Sequence, residues 1–338
     1  MKVLVTGGGG YIGSTLVRLL LNEGYDVVVL DRLFFGRDPL KDVEDQIKIV
    51  RDDVRWFDPK ILRDIDAVFD LAALSNDPLG ELDPSKTLEI NYKGRVRVAN
   101  LAKKKGVSKY VLASSCSVYG FQDTLLDENS KVNPLTTYAK ANYLAERDIL
   151  PLADKDFTAT ALRQATVYGF SYRMRFDLAI NAMVGALYLN GKLKVMRDGT
   201  QWRPFVHVKD TSRAFITILE AEPELVNGQI FNVGSDEQNI QIYPLAKTIA
   251  EACGQEFIYE WYGDPDKRSY RVSFKKIKET LGFKPKFTIP DGAREVWKAL
   301  EEGRLDPNDP KTITLKWYKH LIENPEAHPE ILLKGRVL

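Results

Sequence analysis

The chain has 338 residues, with 48 Lys and Arg against 47 Asp and Glu, for a formal net charge of +1. So balanced a chain has no bulk electrostatic pull toward nucleic acid or a membrane surface, and no stretch reaches the length of an apolar membrane span. Two cysteines and three scattered histidines make neither a disulfide framework nor a metal cluster, so the expectation is a soluble cytoplasmic protein with no metal and no signal peptide.

In chain order, the apolar run Val3-Leu4-Val5 feeds a glycine cluster, Gly7 to Gly10, with Gly13 three residues on. An amphipathic stretch follows (Leu16, Val17, Leu20, Leu21), then a second apolar run, Val27 to Leu30, ending on Asp31. That order is strand, glycine turn, helix, strand, acid, and each part suits a dinucleotide. Glycines let backbone approach a pyrophosphate, and the helix N-terminus behind them offers free N–H groups. Asp31 is placed to accept hydrogen bonds from ribose hydroxyls and to repel a 2′-phosphate, which favours NAD over NADP. Its neighbours Arg32 and Arg37 pull the other way.

Strands are expected at 2–6, 26–31, 47–50, 67–72, 110–114 and 159–163, with helices at 11–23, 86–105 and 137–153. Such alternation predicts an α/β fold, a doubly wound Rossmann-type parallel sheet with right-handed crossovers. Beyond residue 170 the alternation loosens. A helix at 176–190, a strand at 205–208, a helix at 209–220, a strand at 231–234 and helices at 242–253 and 273–281 predict a smaller α/β substrate lobe. The expected division is 1–172 for the NAD-binding domain, with 204–235 returning to it, and 173–203 plus 236–300 for the lobe. A helical tail, 301–338, with a helix near 310–323, is expected to cover that lobe.

Two further segments carry chemistry. Ser114-Ser115-Cys116-Ser117-Val118-Tyr119-Gly120 follows an apolar run, which puts hydroxyls at a strand's carboxyl end, where open α/β sheets bind ligands. Thr136-Thr137-Tyr138 opens a helix with a capping threonine and a tyrosine in the first turn. Cys116 has no base or cation beside it in sequence and reads as a packed cysteine. Ser75-Asn76-Asp77-Pro78 reads as a loop shaping the far side of the cleft.

Together these residues resemble the extended short-chain dehydrogenase/reductase family, the NAD-dependent branch of UDP-glucose 4-epimerase-like enzymes that act on nucleotide sugars, over roughly residues 1–295. Thr6-Gly7-Gly8-Gly9-Gly10-Tyr11-Ile12-Gly13 is similar to the family's Thr-Gly-x-x-Gly-x-x-Gly turn. The resemblance implies NAD as cofactor, with Gly7, Gly10, Tyr11, Ile12 and Gly13 in its turn and Asp31 on its ribose. It further implies that Asp53 and Val54 lie beside the adenine, Leu71, Ala72 and Ala73 under the cofactor, and that Asn91 steadies the site. Ser115, four residues before Tyr119, matches the catalytic Ser/Thr, and Tyr138 matches the catalytic tyrosine. On the substrate side, Arg203 matches the arginine that clamps a diphosphate, and Asn181 the asparagine that touches diphosphate or sugar. Arg268, with Arg271 as its rival, matches a second arginine on the nucleotide. His207 is expected to steady the fold. The partners implied are a nucleotide sugar and a second copy of the chain, joined through 86–105 and 137–153.

One position departs. The family pattern is Tyr-x-x-x-Lys, and this chain has Asn142. Residue 142 shares a helix face with Tyr138, whereas Lys140 points elsewhere. An amide can bond a ribose hydroxyl but carries no charge to depress a phenol. A tyrosine of pKa ~10 is only about 0.1% phenolate at pH 7. Either slow chemistry or a differently arranged proton path is therefore expected, and in a chain that binds without turnover Asn142→Lys is expected to gain activity. The reaction implied is a 4-epimerisation by transient oxidation at C4 of a UDP- or dTDP-hexose. A 4-ketoreductase and a catalytically impaired sugar-nucleotide binder are the alternatives. Dehydration is disfavoured, because Cys116-Ser117 stands where an acidic pair would do acid and base work.

Overall fold

The computed structural model describes residues 1–265 and 269–338. Seven strands make the main sheet: β1 (Lys2–Thr6), β2 (Asp26–Asp31), β3 (Ile47–Arg51), β4 (Ala67–Asp70), β5 (Lys109–Ser115), β6 (Thr158–Gln164) and β7 (Ile230–Val233). Their spatial order is β7-β6-β5-β4-β1-β2-β3, and every pairing is parallel. The chain winds outward from β1 through β2 to β3, then returns to β4 on the other side. Ligands of such sheets bind at the carboxyl ends where the order reverses.

Side chains along each strand alternate between two apolar layers, as strand geometry requires. Val3, Val5, Val29 and Phe69 fall in one layer, and Leu4, Val28, Leu30 and Val68 in the other. With both faces covered, these strands read as continuous apolar runs. The covering helices are α1 (Tyr11–Asn22), α2 (Arg95–Lys104), α3 (Thr137–Ile149) and α5 (Val208–Glu220). Outside the sheet lie α4 (Ala179–Asn190), α6 (Ile242–Ala252), α7 (Lys275–Leu281), α8 (Ile289–Glu301) and α9 (Thr314–Glu323). No helix among the described residues is long and apolar enough to cross a membrane.

The differences from expectation have physical causes. β4 stops at Asp70, not 72: Leu71 N–H is shared between Thr6 O at 3.2 Å and Thr6 Oγ1 at 3.1 Å, and Ala72 N–H turns to Thr6 Oγ1 at 3.1 Å. The helix expected over 86–105 is interrupted at Glu89–Gly94 by a wider turn that leads into α2. The strand expected at 205–208 starts earlier, at Trp202. It pairs with residues 166–168 and 239–241, while β7 alone of the 204–235 segment joins the main sheet. α8 has no counterpart in the expected elements, although its stripe of Ile289, Ala293, Val296 and Leu300 and its Thr288–Asp291 capping box are plain signals.

The tail is a correction. Its helix packs on the cofactor half, where Trp317, Tyr318 and Leu321 of α9 join the apolar layer of Leu4 and Val28, and it meets the expected substrate lobe through Thr312 and Thr314, which bond Phe176 N, Arg173 and Asp177. Trp317 Nε1 donates to Phe34 O at 2.7 Å. Arg51 and Arg32 hold the last residues by their carbonyls, including Leu332 O at 2.7 Å and Val337 O at 2.9 Å.

Candidate active site

A single cleft of about 720 Å3 runs over the carboxyl ends of β1, β4 and β5, from Asp31 at one end to Arg203 at the other. Its floor at one end is the glycine turn. Gly7 has φ +70°, and a Cβ on Gly13 would stand 2.2 Å from Gly7 O and 2.7 Å from Gly8 Cα. Only bare backbone fits there, and it leaves the N-terminus of α1 open to the cleft with no acid in its first turn. Gly10, Tyr11, Ile12, Leu71, Ala72 and Ala73 line the same end.

Asp31 accepts from Gly9 N at 2.9 Å and Leu33 N at 2.7 Å, one bond per carboxylate oxygen. Each oxygen keeps a lone pair for a ribose hydroxyl. Burial pushes its pKa above the usual carboxylate range, against those two bonds and the charges of Arg173 and Arg32. The two arginines that clouded the cofactor choice are engaged. Arg32 pairs with Asp53 at 2.8 Å and donates to three carbonyls of the tail, and Arg37 pairs with Glu44. Asp53 and Val54 line the cleft, but both Asp53 oxygens already carry guanidinium from Arg32 and Arg55. Burial raises the Asp53 carboxyl, and the two arginines overcome this and leave it below the usual range.

Sequence reasoning missed Arg173, which lines this end with its guanidinium 3.6 Å over the Phe35 ring. It is 5% exposed, and its Nε has no partner. Burial, then the charge of Arg175, pushes it down to about 9. A glycine cradle that a Cβ would fill, a carboxylate with open lone pairs and a buried cation whose Nε is unpartnered, though its Nη2 donates to Thr314 Oγ1 at 3.0 Å, together suit a ribose-diphosphate such as that of NAD. The nearby positive charge is not evident from the sequence, because Arg173 lies outside every motif.

At mid-cleft, β5 delivers Ser115 and α3 delivers Tyr138, and both line the cavity. Thr136 caps α3, its Oγ1 accepting from Ala139 N at 3.1 Å and donating to Asp77 at 2.6 Å. Ser115 Oγ accepts from Ser117 N at 3.1 Å. Burial raises the Tyr138 pKa, and the negative charge of Asp77 raises it further; Arg95, Asn142 and Ser115 oppose them. Cys116 is buried, donates to Arg163 O at 3.2 Å, and has its thiol pushed far up by burial.

Asn91 and Asn142 do not line the cavity. Asn91, fully buried, exchanges two hydrogen bonds with the Leu74 backbone, at 2.8 and 2.9 Å, and so fixes the loop opposite Tyr138. Asn142, 1% exposed, accepts from Arg95 Nη1 at 2.9 Å and donates to Tyr138 O at 3.2 Å. Arg95 is the second residue missed. A signal existed: it lies four residues after Asn91, on the helix face that otherwise buries Val98, Ala99 and Ala102.

At the far end Arg203 lines the cleft, donates to Trp202 O at 2.9 Å and lies over the Tyr270 ring. Arg175 and Asp177 form a buried pair at 2.9 Å, held beside the Ser75–Asn76 loop by bonds to Ser75 Oγ and from Asn76 Nδ2. Asn181 is a correction: it is fully buried behind the cleft wall, with Oδ1 accepting from Gly169 N at 3.0 Å and Nδ2 donating to Tyr11 Oη and Arg175 O. Both amide hydrogens are spent on protein groups and the side chain does not line the cleft, so it braces Tyr11. Arg268 lies outside the described residues, and Arg271 packs over Trp202 away from the cleft. His207 accepts from Lys209 N through Nδ1 at 3.2 Å, so Nε2–H donates to Glu295 at 2.9 Å, and it ties α8 to the sheet.

Comparison with known proteins matches residues 3–234 to the NAD dependent epimerase/dehydratase family model. The chain is 32% identical over 326 residues to a UDP-glucose 4-epimerase of Lactobacillus helveticus, covering 88% of this chain and 96% of that one. It is also 32% identical over 304 residues to a UDP-glucose 4-epimerase of Mycolicibacterium smegmatis, covering 86% and 96%. The solved structure of MoeE5 in complex with UDP-glucuronic acid and NAD superposes with a TM-score of 0.80 at 28% identity, over 90% of this chain and all of that one.

Proposed function

The chain belongs to the NAD dependent epimerase/dehydratase family and is an NAD-dependent enzyme, and we propose that it is a 4-epimerase of a nucleotide hexose, UDP-hexose first. The observation that carries this reading is the meeting of Ser115 and Tyr138 midway between a dinucleotide cradle and Arg203, in one continuous cleft.

NAD, when bound, supplies a reversible acceptor for the C4 hydride. The protein's own part is to move one proton and hold one oxygen. Tyr138, as phenolate, takes the proton of the C4 hydroxyl. The Ser115 hydroxyl has one donor to give and aims it at the same oxygen as carbonyl character develops. A placed donor of this kind is worth about 3 kcal/mol in the transition state. Arg203 holds the diphosphate as a charged, forked donor while the sugar presents its other face. The same two residues then return the proton. Asp31 and the Gly7–Gly13 turn keep the adenosine end in place, and the tail closes over that end through Arg32 and Trp317.

Dehydration is not supported. The positions after Ser115 are a buried thiol and a hydroxyl, and the sugar-side carboxylates are occupied: Asp77 by Thr136 and Asp177 by Arg175. We also infer, on resemblance alone, a homodimer through α2 and α3, which sedimentation would weigh. The test of the reaction is NMR of the purified protein with UDP-glucose. UDP-galactose appearing without added reductant supports the reading, and silence with every nucleotide hexose overturns it.

A further inference from the structure

A tyrosine base needs a cation near its hydroxyl, and position 142 supplies none. We propose that Arg95, from the neighbouring helix, is the positioning residue that fills this need: it fixes the Asn142 amide toward Tyr138 and lends the site its positive charge. The inference rests on the reading of Tyr138 as the base.

The geometry is a relay of three residues. Arg95 is fully buried, and its Nη1 donates to Asn142 Oδ1 at 2.9 Å. A guanidinium has only donors, so it selects the oxygen of the amide and turns the Nδ2 side toward the first turn of α3. There Nδ2 donates to Tyr138 O at 3.2 Å, which ties the amide to the first turn of the helix that presents Tyr138. The other guanidinium nitrogens are pinned between the strands: Nη2 donates to Asp70 O at 3.1 Å and to Ala113 O, and Nε lies 3.8 Å from Asp70 Oδ2 without a hydrogen bond. A fork held on three sides cannot swing away from Asn142.

The charge balance points the same way. Arginine stays protonated in proteins. Among the described residues the carboxylate paired with Arg95, Asp70, stands 3.8 Å off without a hydrogen bond to it and is shared with Thr6 Oγ1 at 2.6 Å and with the Tyr110 hydroxyl. The other charges that face Tyr138 are Asp77, which opposes ionisation, and Arg175, which is neutralised by Asp177. Arg95 is thus the cation in this cluster whose charge is least cancelled.

The test is a pH titration of the full-length protein labelled at tyrosine Cζ, with Tyr138 assigned by its loss in Tyr138→Phe. Wild type is compared with Arg95→Met/Asp70→Asn, which removes both buried charges together. The expected result is a Tyr138 ionisation at least about one pH unit higher in the double variant, with Arg95→Lys titrating nearer wild type. Should the double variant fail to fold, Arg95→Gln, which keeps donors for the two carbonyls, carries the same comparison. A folded, NAD-binding neutral variant in which Tyr138 titrates as in wild type would overturn the proposal. The titration needs no substrate. A shift without any sugar turnover would leave Arg95 in its role and sink the epimerase reading instead.

Discussion

Lysine at position 142 looks, from the sequence, like a repair, and the structure makes it damage. The Asn142 oxygen stands 2.9 Å from Arg95 Nη1, in a pocket where both residues are essentially inaccessible to water. An ammonium there meets a fixed guanidinium. Two like charges about 4 Å apart at an effective dielectric near 20 repel by about 4 kcal/mol. The lost charge-assisted hydrogen bond adds about 2 kcal/mol. Shedding the lysine proton caps the repulsion, because three pKa units correspond to about 4 kcal/mol. Asn142→Lys is therefore expected to lose about 4 kcal/mol or more of stability, much of a typical domain's 5–15 kcal/mol. Urea unfolding followed by tryptophan fluorescence reads this directly, alongside turnover at neutral pH. A variant with a wild-type midpoint and higher activity would refute the reasoning. It would show that the new ammonium never meets Arg95.

Four other outcomes are expected. Tyr138→Phe should abolish turnover while NAD remains bound in the purified protein, read by absorbance. Ser115→Ala should lower kcat by roughly a hundredfold with little change in KM, the loss of one placed donor. Gly13→Ala should abolish NAD binding by calorimetry, because its Cβ has no room between Gly7 O and Gly8 Cα. In acid, Glu295 matters: burial raises its pKa, and His207 and Lys209 outweigh this to hold it near 2. A depressed carboxylate stabilises the fold above its unfolded value near ~4.3 and loses that contribution as pH falls toward 2. Its worth at neutral pH is about 3 kcal/mol before screening, since the side chain is 24% exposed. Glu295→Gln should flatten the stability profile between those limits in denaturant titrations.

Much of the cofactor half was legible because its signals are local. The glycine turn, the run into Asp31 and the apolar strands each declare themselves within a few residues, and β1, β2 and α1 fall where patterning puts them. The end of β4 was not legible, since there the N–H groups of Leu71 and Ala72 meet a hydroxyl, Thr6 Oγ1, from far along the chain. Residue types were read better than their company. Asn181 and Asn142 have the right chemistry for ligand contact, but each amide is spent on protein groups distant in sequence. Arg95 shows the converse. Its position on a buried helix face marks it as unusual, yet its meaning depends on β4, β5 and α3 converging around it. The tail had no motif at all, and its place follows from Trp317 and Tyr318 completing an apolar layer with Phe34.

The reversible oxidation at C4 is tested most directly with UDP-glucose deuterated at that carbon, incubated with the purified protein and no added cofactor. Expected is UDP-galactose that keeps its deuterium at C4, approached equally from UDP-galactose deuterated in the same place. Product that forms only when reduced cofactor is supplied, or that has lost the label to solvent, would contradict a 4-epimerase built on Ser115 and Tyr138.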